Sequence, residues 1–235
     1  MTRTKIKSIA IITMLLNHIA HIFMRPGTPL AILFTAVGYF TAPVMCYMLV
    51  QGFEHTRSRK RYGARLLIFA ILSQIPFGLV FDEFSPGILN IMFTLFFSFL
   101  MLCVKESVKD PFLRIGLLIF LMTITFYCDW YIVAPVLIIE LYESRTKSSM
   151  AISYGVCTGL VMAFTYMSVR DDPAYSVISV CTLSLLAGVA VAAAGFMILY
   201  AYDGRKEERK SWFSKWFFYL FYPGHLLVLY LISTM

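Results

Sequence analysis

Residues 112–142 read FLRIGLLIFLMTITFYCDWYIVAPVLIIELY, and how often this stretch crosses a bilayer sets the topology of the whole chain. A transmembrane helix needs about 20 apolar residues, with about 17–25 tolerated. The stretch is long for one crossing and short for two, and Asp129-Trp130 interrupts it near its middle. Its first part, 112–128, is a full span. Its second, 130–142, extends only about 20 Å at about 1.5 Å per residue. The sequence therefore leaves two forms open for 130–142: a helix tilted through a thinned bilayer, or a partial span lining a cavity.

The flanking charges favour two passes. Seven further apolar segments qualify as spans: 6–24, 30–50, 63–81, 87–104, 149–168, 174–202 and 212–233. With nine passes and a cytoplasmic N-terminus, 18 of the 20 Lys and Arg residues fall on the cytoplasmic side, leaving Arg25 and Arg170 outside. With a single pass through 112–142, the basic loops around Arg145 and Lys147 and from Arg205 to Lys215 would both face outward, against the positive-inside rule. The expectation is an all-α polytopic bundle of nine transmembrane helices (eight if 130–142 does not cross), forming a single domain over 1–235. The outer loops are short and acidic, at Asp82–Glu83, Asp129 and Asp171–Asp172.

Composition agrees. The chain of 235 residues is 60% hydrophobic and 14% charged, against about 25% charged in soluble domains. Mean hydropathy is +0.77. The net charge of +7 sits in cytoplasmic loops, so a nucleic-acid partner is not expected. Five isolated cysteines, with no CxxC pair, read as small buried apolar side chains, and no metal site is expected. The small residues from Gly188 to Gly195 predict close helix packing.

Polar side chains at membrane depth are costly and therefore informative. His18 in the first span and His225 in the last fall near the bilayer centre, where a neutral imidazole can accept a proton or an acyl group. Each could equally be a structural histidine bonded to a neighbouring helix, and a pair on two helices could hold haem. The prolines Pro43, Pro76, Pro135 and Pro223 each free a carbonyl one turn earlier, and Ser73, Gln74 and Asn90 are placed to bond such groups. The loop 51–65 carries Arg57, Arg59, Lys60, Arg61 and Arg65 together with His55. It is either a topology anchor or a clamp for a polyanionic ligand.

In order along the chain stand Lys5–Ile19 with Asn17-His18, Gln51-Gly-Phe-Glu-His55-Thr-Arg57, Tyr62, Arg65–Ala70, and Ser73-Gln-Ile-Pro76-Phe. They are followed by Asn90, Phe93-Thr94-Leu95, Asp129-Trp130 and Trp216–Leu226, which ends in Tyr222-Pro223-Gly-His225-Leu. This series resembles the TraX family of small polytopic membrane proteins, named for the protein that N-acetylates the pilin of a conjugative pilus. The match covers most of the chain and is weakest over 145–200. It departs from the family pattern at Asn17 and Gln51, where the family carries Asp and Glu.

The resemblance implies an acetyltransferase of the bacterial plasma (inner) membrane, with cytosolic acetyl-coenzyme A as donor and a peptide, sugar or small-molecule amine or hydroxyl as acceptor. His18 or His225 would act as base or acyl carrier, and Asn17 and Asp129 would assist. His55, Arg57, Arg59, Lys60, Arg61 and Arg65 would hold the donor, and Trp130, Gln74, Asn90 and Tyr222 would line the acceptor site. The competing reading is a small non-enzymatic permease or solute-binding membrane protein.

Overall fold

The computed structural model describes residues 1–81, 87–203 and 212–235, the side chains of 212–215 excepted. Asp82–Glu83 and the basic stretch from Arg205 to Lys210 lie outside the described residues, as does the side chain of Lys215.

The described chain is helical, with one isolated bridge between Leu89 and Cys128 and no strands. Its helices are α1 (Arg3–Phe23), α2 (Pro29–Gly38), α3 (Thr41–His55), α4 (Arg59–Phe81), α5 (Ile91–Ser107), α6 (Pro111–Thr125), α7 (Val133–Glu143), α8 (Lys147–Val169), α9 (Val177–Phe196) and α10 (Trp212–Ser233). A π-helical turn, Met197–Ala201, extends α9. Local chemistry sets where they start. Thr2, Asn90, Asp110, Thr146 and Ser176 each accept a hydrogen bond from a first-turn N–H, which removes one of the unpaired donors at a helix start.

By length and apolar composition six segments can cross a membrane: α1, α2 with α3, α4, α8, α9 with its π turn, and α10. The helices α5, α6 and α7 are shorter, at 17, 15 and 11 residues. The chain thus has the helices of a multi-pass membrane protein.

The segment 30–50, expected as one span, is two helices broken at Tyr39–Phe40. Pro43 falls in the first turn of α3, where a missing N–H costs nothing. Pro135 does the same at the start of α7, whereas Pro76 and Pro223 lie inside helices.

The chain divides into two compact units. The first comprises Met1–Val44, Arg145–Phe221 and Leu231–Met235; the second comprises Met45–Ser144 and Tyr222–Tyr230. In the first, α1 packs on α2, α2 on α9, and α8 on α9. The small-residue face does what its composition predicts. A Cβ on Gly195 would come within 2.6–2.9 Å of the Tyr154 ring and Cβ, and one on Gly188 within 2.7 Å of the Met162 sulfur. Tyr154 is buried, with its hydroxyl 3.5 Å from the Pro43 carbonyl. In the second unit, α4 packs on α5, and α5 on both α6 and α7.

Crowding at Gly195 makes a measurable claim. Gly195→Ala should destabilise the purified protein by about 1–3 kcal/mol through overpacking. Gly155→Ala, at a helical site with no neighbour within 4 Å, should be neutral or stabilising by up to about 1 kcal/mol. Thermal unfolding in one detergent checks the pair, and equal shifts would contradict the packing described.

Candidate functional site

Among the candidate catalytic and binding residues, Asn17 and His18 lie in the first unit and the others in the second. There the turn between α6 and α7 is the focus. Trp130 and Ile132 both adopt positive φ, at 57° and 54°. For a β-branched residue such as Ile132 this is a strained conformation, costing on the order of 1–3 kcal/mol. The surroundings hold it in place. Leu89 donates its N–H to the Tyr127 carbonyl at 2.8 Å, and its own carbonyl accepts from the Asp129 N–H at 2.7 Å. The Thr94 hydroxyl donates to the Asp129 carbonyl. Fully buried Thr94 in turn offers its carbonyl to Ser98 Oγ at 2.7 Å. The Asp129 carboxylate accepts from the Trp130 N–H.

The other wall of this turn is a closed amide network. Asn90 is fully buried. Its Oδ1 caps α5 by accepting from the Met92 N–H at 2.9 Å. Its Nδ2 donates to the Ala70 carbonyl at 2.9 Å and to Gln74 Oε1 at 2.8 Å. Gln74 Oε1 also takes the Asn90 N–H at 2.9 Å, and its Nε2 donates to the Ile88 carbonyl at 3.1 Å. These amides therefore fix the extended segment before α5. They do not bond the Leu72 carbonyl that Pro76 frees, as the sequence suggested. Ser73 Oγ is buried and has no hydrogen-bond partner among the described residues.

From α10, Tyr222 places its hydroxyl at the Ile91 backbone, close enough to Asp129 for their charges to interact. The buried His225 ring lies 5.8 Å from the Tyr222 ring. The second unit thus brings Asp129, Trp130, Tyr222, His225, Asn90 and Gln74 into one neighbourhood. Thr94 and Cys128 belong to it too and were given no role from sequence. The polar i, i+4 pair Thr94 and Ser98 in an otherwise apolar helix was the available signal.

At the other end of α4 stands the basic loop. Arg59 is already engaged: it pairs with Glu106 and lies 4.3 Å over the Phe53 ring, while Tyr142 donates to the same carboxylate at 2.6 Å. His55 Nδ1 contacts the Gln51 carbonyl of its own helix at 2.9 Å. Arg57, Lys60 and Arg61 are exposed and make no ion pair among the described residues. Arg65 lies over the Tyr62 ring at 5.6 Å, with its Nε buried and unpaired. The cations open to an anion are therefore Arg57, Lys60, Arg61 and Arg65.

In the first unit, Asn17 Nδ2 donates to the Thr35 carbonyl at 2.9 Å, and its side chain fills the space where a Cβ on Gly38 would stand. One turn below, buried Thr13 and Thr41 share the Ala10 carbonyl. Asn17 thus ties α1 to the end of α2. His18, its neighbour on α1, is half-buried.

A profile of the TraX family, described as "TraX protein", matches residues 2–233. The chain belongs to the TraX family. A relative from Dichelobacter nodosus, described as "Probable fimbrial assembly protein FimC, serogroup H1", is 32% identical over 238 residues, covering 96% of this chain and 93% of that protein. No solved structure matches the chain. The TraX resemblance read from the sequence is thereby borne out.

Two substitutions test the architecture of this TraX chain. Asn90→Ala removes a helix cap and two further bonds and should cost about 2–3 kcal/mol. Asn17→Asp keeps the shape but sets an acceptor against the Thr35 carbonyl, and should cost about 1–3 kcal/mol. Chemical or thermal unfolding of the purified variants reads both, and wild-type stability in either would remove that bond from the account.

Proposed function

We propose that this chain is a membrane-embedded acyltransferase that moves acetyl from cytosolic acetyl-coenzyme A to an amine or hydroxyl on the far side of the bacterial inner membrane. The N-terminus of a fimbrial or pilus subunit is the foremost acceptor. The observation that carries the reading is the grouping of His225, Tyr222 and Asp129 around a strained turn, in the same unit as a set of unpaired cations. Family membership and the fimbrial assembly description of the Dichelobacter nodosus relative support the chemistry and the acceptor. In the proposed topology the N-terminus and the basic loop face the cytoplasm, in line with the positive-inside rule, and 112–142 enters and leaves on that side.

Arg57, Lys60, Arg61 and Arg65 hold the phosphates of the donor. Arg59, paired with Glu106, braces the loop. At the buried end, His225 accepts the proton of the acceptor amine as its nitrogen attacks the thioester carbonyl. The new C–N bond forms, the C–S bond breaks, and coenzyme A leaves as the thiol after taking up the proton. Tyr222, whose hydroxyl sits at the Ile91 backbone, serves as a proton donor to the developing oxyanion.

Calorimetric titration of coenzyme A into the detergent-purified protein tests the donor assignment. Micromolar binding is expected, weakened at least tenfold in Arg57→Ala with Arg61→Ala and little changed in His225→Ala. Absence of binding by folded protein would overturn the donor site and favour the permease.

A further inference from the structure

The depth and electrostatics of the α6–α7 turn carry an inference about what Asp129 recognises. Both arms of this hairpin are short. The 15 residues of α6 and 11 of α7 extend about 22 Å and about 16 Å, against a hydrocarbon core of about 30 Å. Both also start from charged ends, Lys109-Asp110 before α6 and Glu143 with Arg145 after α7. A hairpin anchored at one interface with such arms ends inside the bilayer, not at the opposite surface. Non-helical backbone is tolerated at that depth only where protein buries it or it lines a water-filled cavity. The bonds from Leu89 and Thr94 give the Tyr127 and Asp129 backbone groups of the turn their partners within the protein.

The carboxylate of Asp129 is what remains. It is partly accessible, its hydrogen bond is to the Trp130 N–H, and it has no cationic partner among the described residues. A charge at this depth without a counter-ion is expensive unless a bound group supplies one. A divalent metal is a poor fit, because such ions take several oxygen or imidazole ligands. Among the described residues no three His, Cys, Asp or Glu side chains are grouped to hold one. A primary ammonium needs less: one carboxylate and neighbouring neutral acceptors. Tyr222 lies beside the carboxylate and presents an oxygen.

We propose that Asp129, at the tip of a hairpin ending inside the membrane, is the counter-ion for the primary ammonium group of the acceptor, and so selects amines over alcohols. This rests on the acyltransfer reading for the identity of the ligand as acceptor, but not for the binding itself. Asp129 is on this account a specificity-determining residue: the bound ammonium gives up one proton to solvent, and the neutral amine then attacks, passing a second proton to the base.

The test needs no acyl donor. The full chain in detergent is titrated with n-propylammonium and with n-propanol, its uncharged counterpart. The wild type should prefer the ammonium at least tenfold. Asp129→Asn, which keeps the acceptor to Trp130, should abolish the preference, and Asp129→Glu, which keeps the charge, should retain it. No preference in the wild type would overturn the proposal, as would an undiminished one in Asp129→Asn. If Asp129→Asn fails to fold, loss of the preference in Asp129→Glu overturns it in the same way. A protein that selects the ammonium yet binds no coenzyme A would keep this inference and lose the acyltransferase.

Discussion

The structure depends on one constraint: in an apolar medium, every backbone group that leaves a helix must find a partner within the protein. The second unit leaves helical structure at 87–90 and again at 126–132, and the two segments satisfy each other. Leu89 exchanges hydrogen bonds with Tyr127 and Asp129, Asn90 and Gln74 close the amides around Ile88, and Thr94 takes the Asp129 carbonyl. The strained φ angles of Trp130 and Ile132 persist because these bonds over-determine the turn. An acidic side chain is thereby held at a fixed turn between α6 and α7.

The same economy governs the two positions where this chain departs from the family pattern. Asn17 donates to a carbonyl, and Gln51 donates to Glu54 across one turn at 3.4 Å. A carboxylate could make neither bond while ionised. At both sites the amide gives up a charge and gains a donor, part-buried for Asn17 and exposed for Gln51. Arg59 shows the converse, a cation taken out of the ligand set by Glu106 and the Phe53 ring.

Much of this was legible in the sequence. Apolar run length alone located helical segments close to those observed, one of them divided into α2 and α3, and the small-residue face of α9 packs as its composition requires. The break at Tyr39–Phe40 leaves no mark in the hydropathy, which is continuous there; in the structure the Tyr39 N–H bonds the Ala36 carbonyl while Asn17 takes that of Thr35. The partners of Asn90 and Gln74 were likewise hidden, since a single sequence does not say which of several unpaired carbonyls an amide will reach. Thr94 gains a role beyond its place in the motif only from the structure, because a threonine in an apolar helix ordinarily bonds its own preceding turn. Asp129 and Trp130 stood out from the start, but their depth follows only from the observed lengths of α6 and α7.

The most direct test of the central claim is transfer itself. Proteoliposomes of the purified chain would receive acetyl-labelled acetyl-coenzyme A and a peptide with a free N-terminus, with acetylated peptide measured by mass spectrometry. The account predicts enzyme-dependent gain of one acetyl group on the terminal amine, lost in His225→Ala protein that remains folded. Transfer that proceeds unchanged without His225, or none at all by folded wild-type protein that binds both compounds, would contradict it.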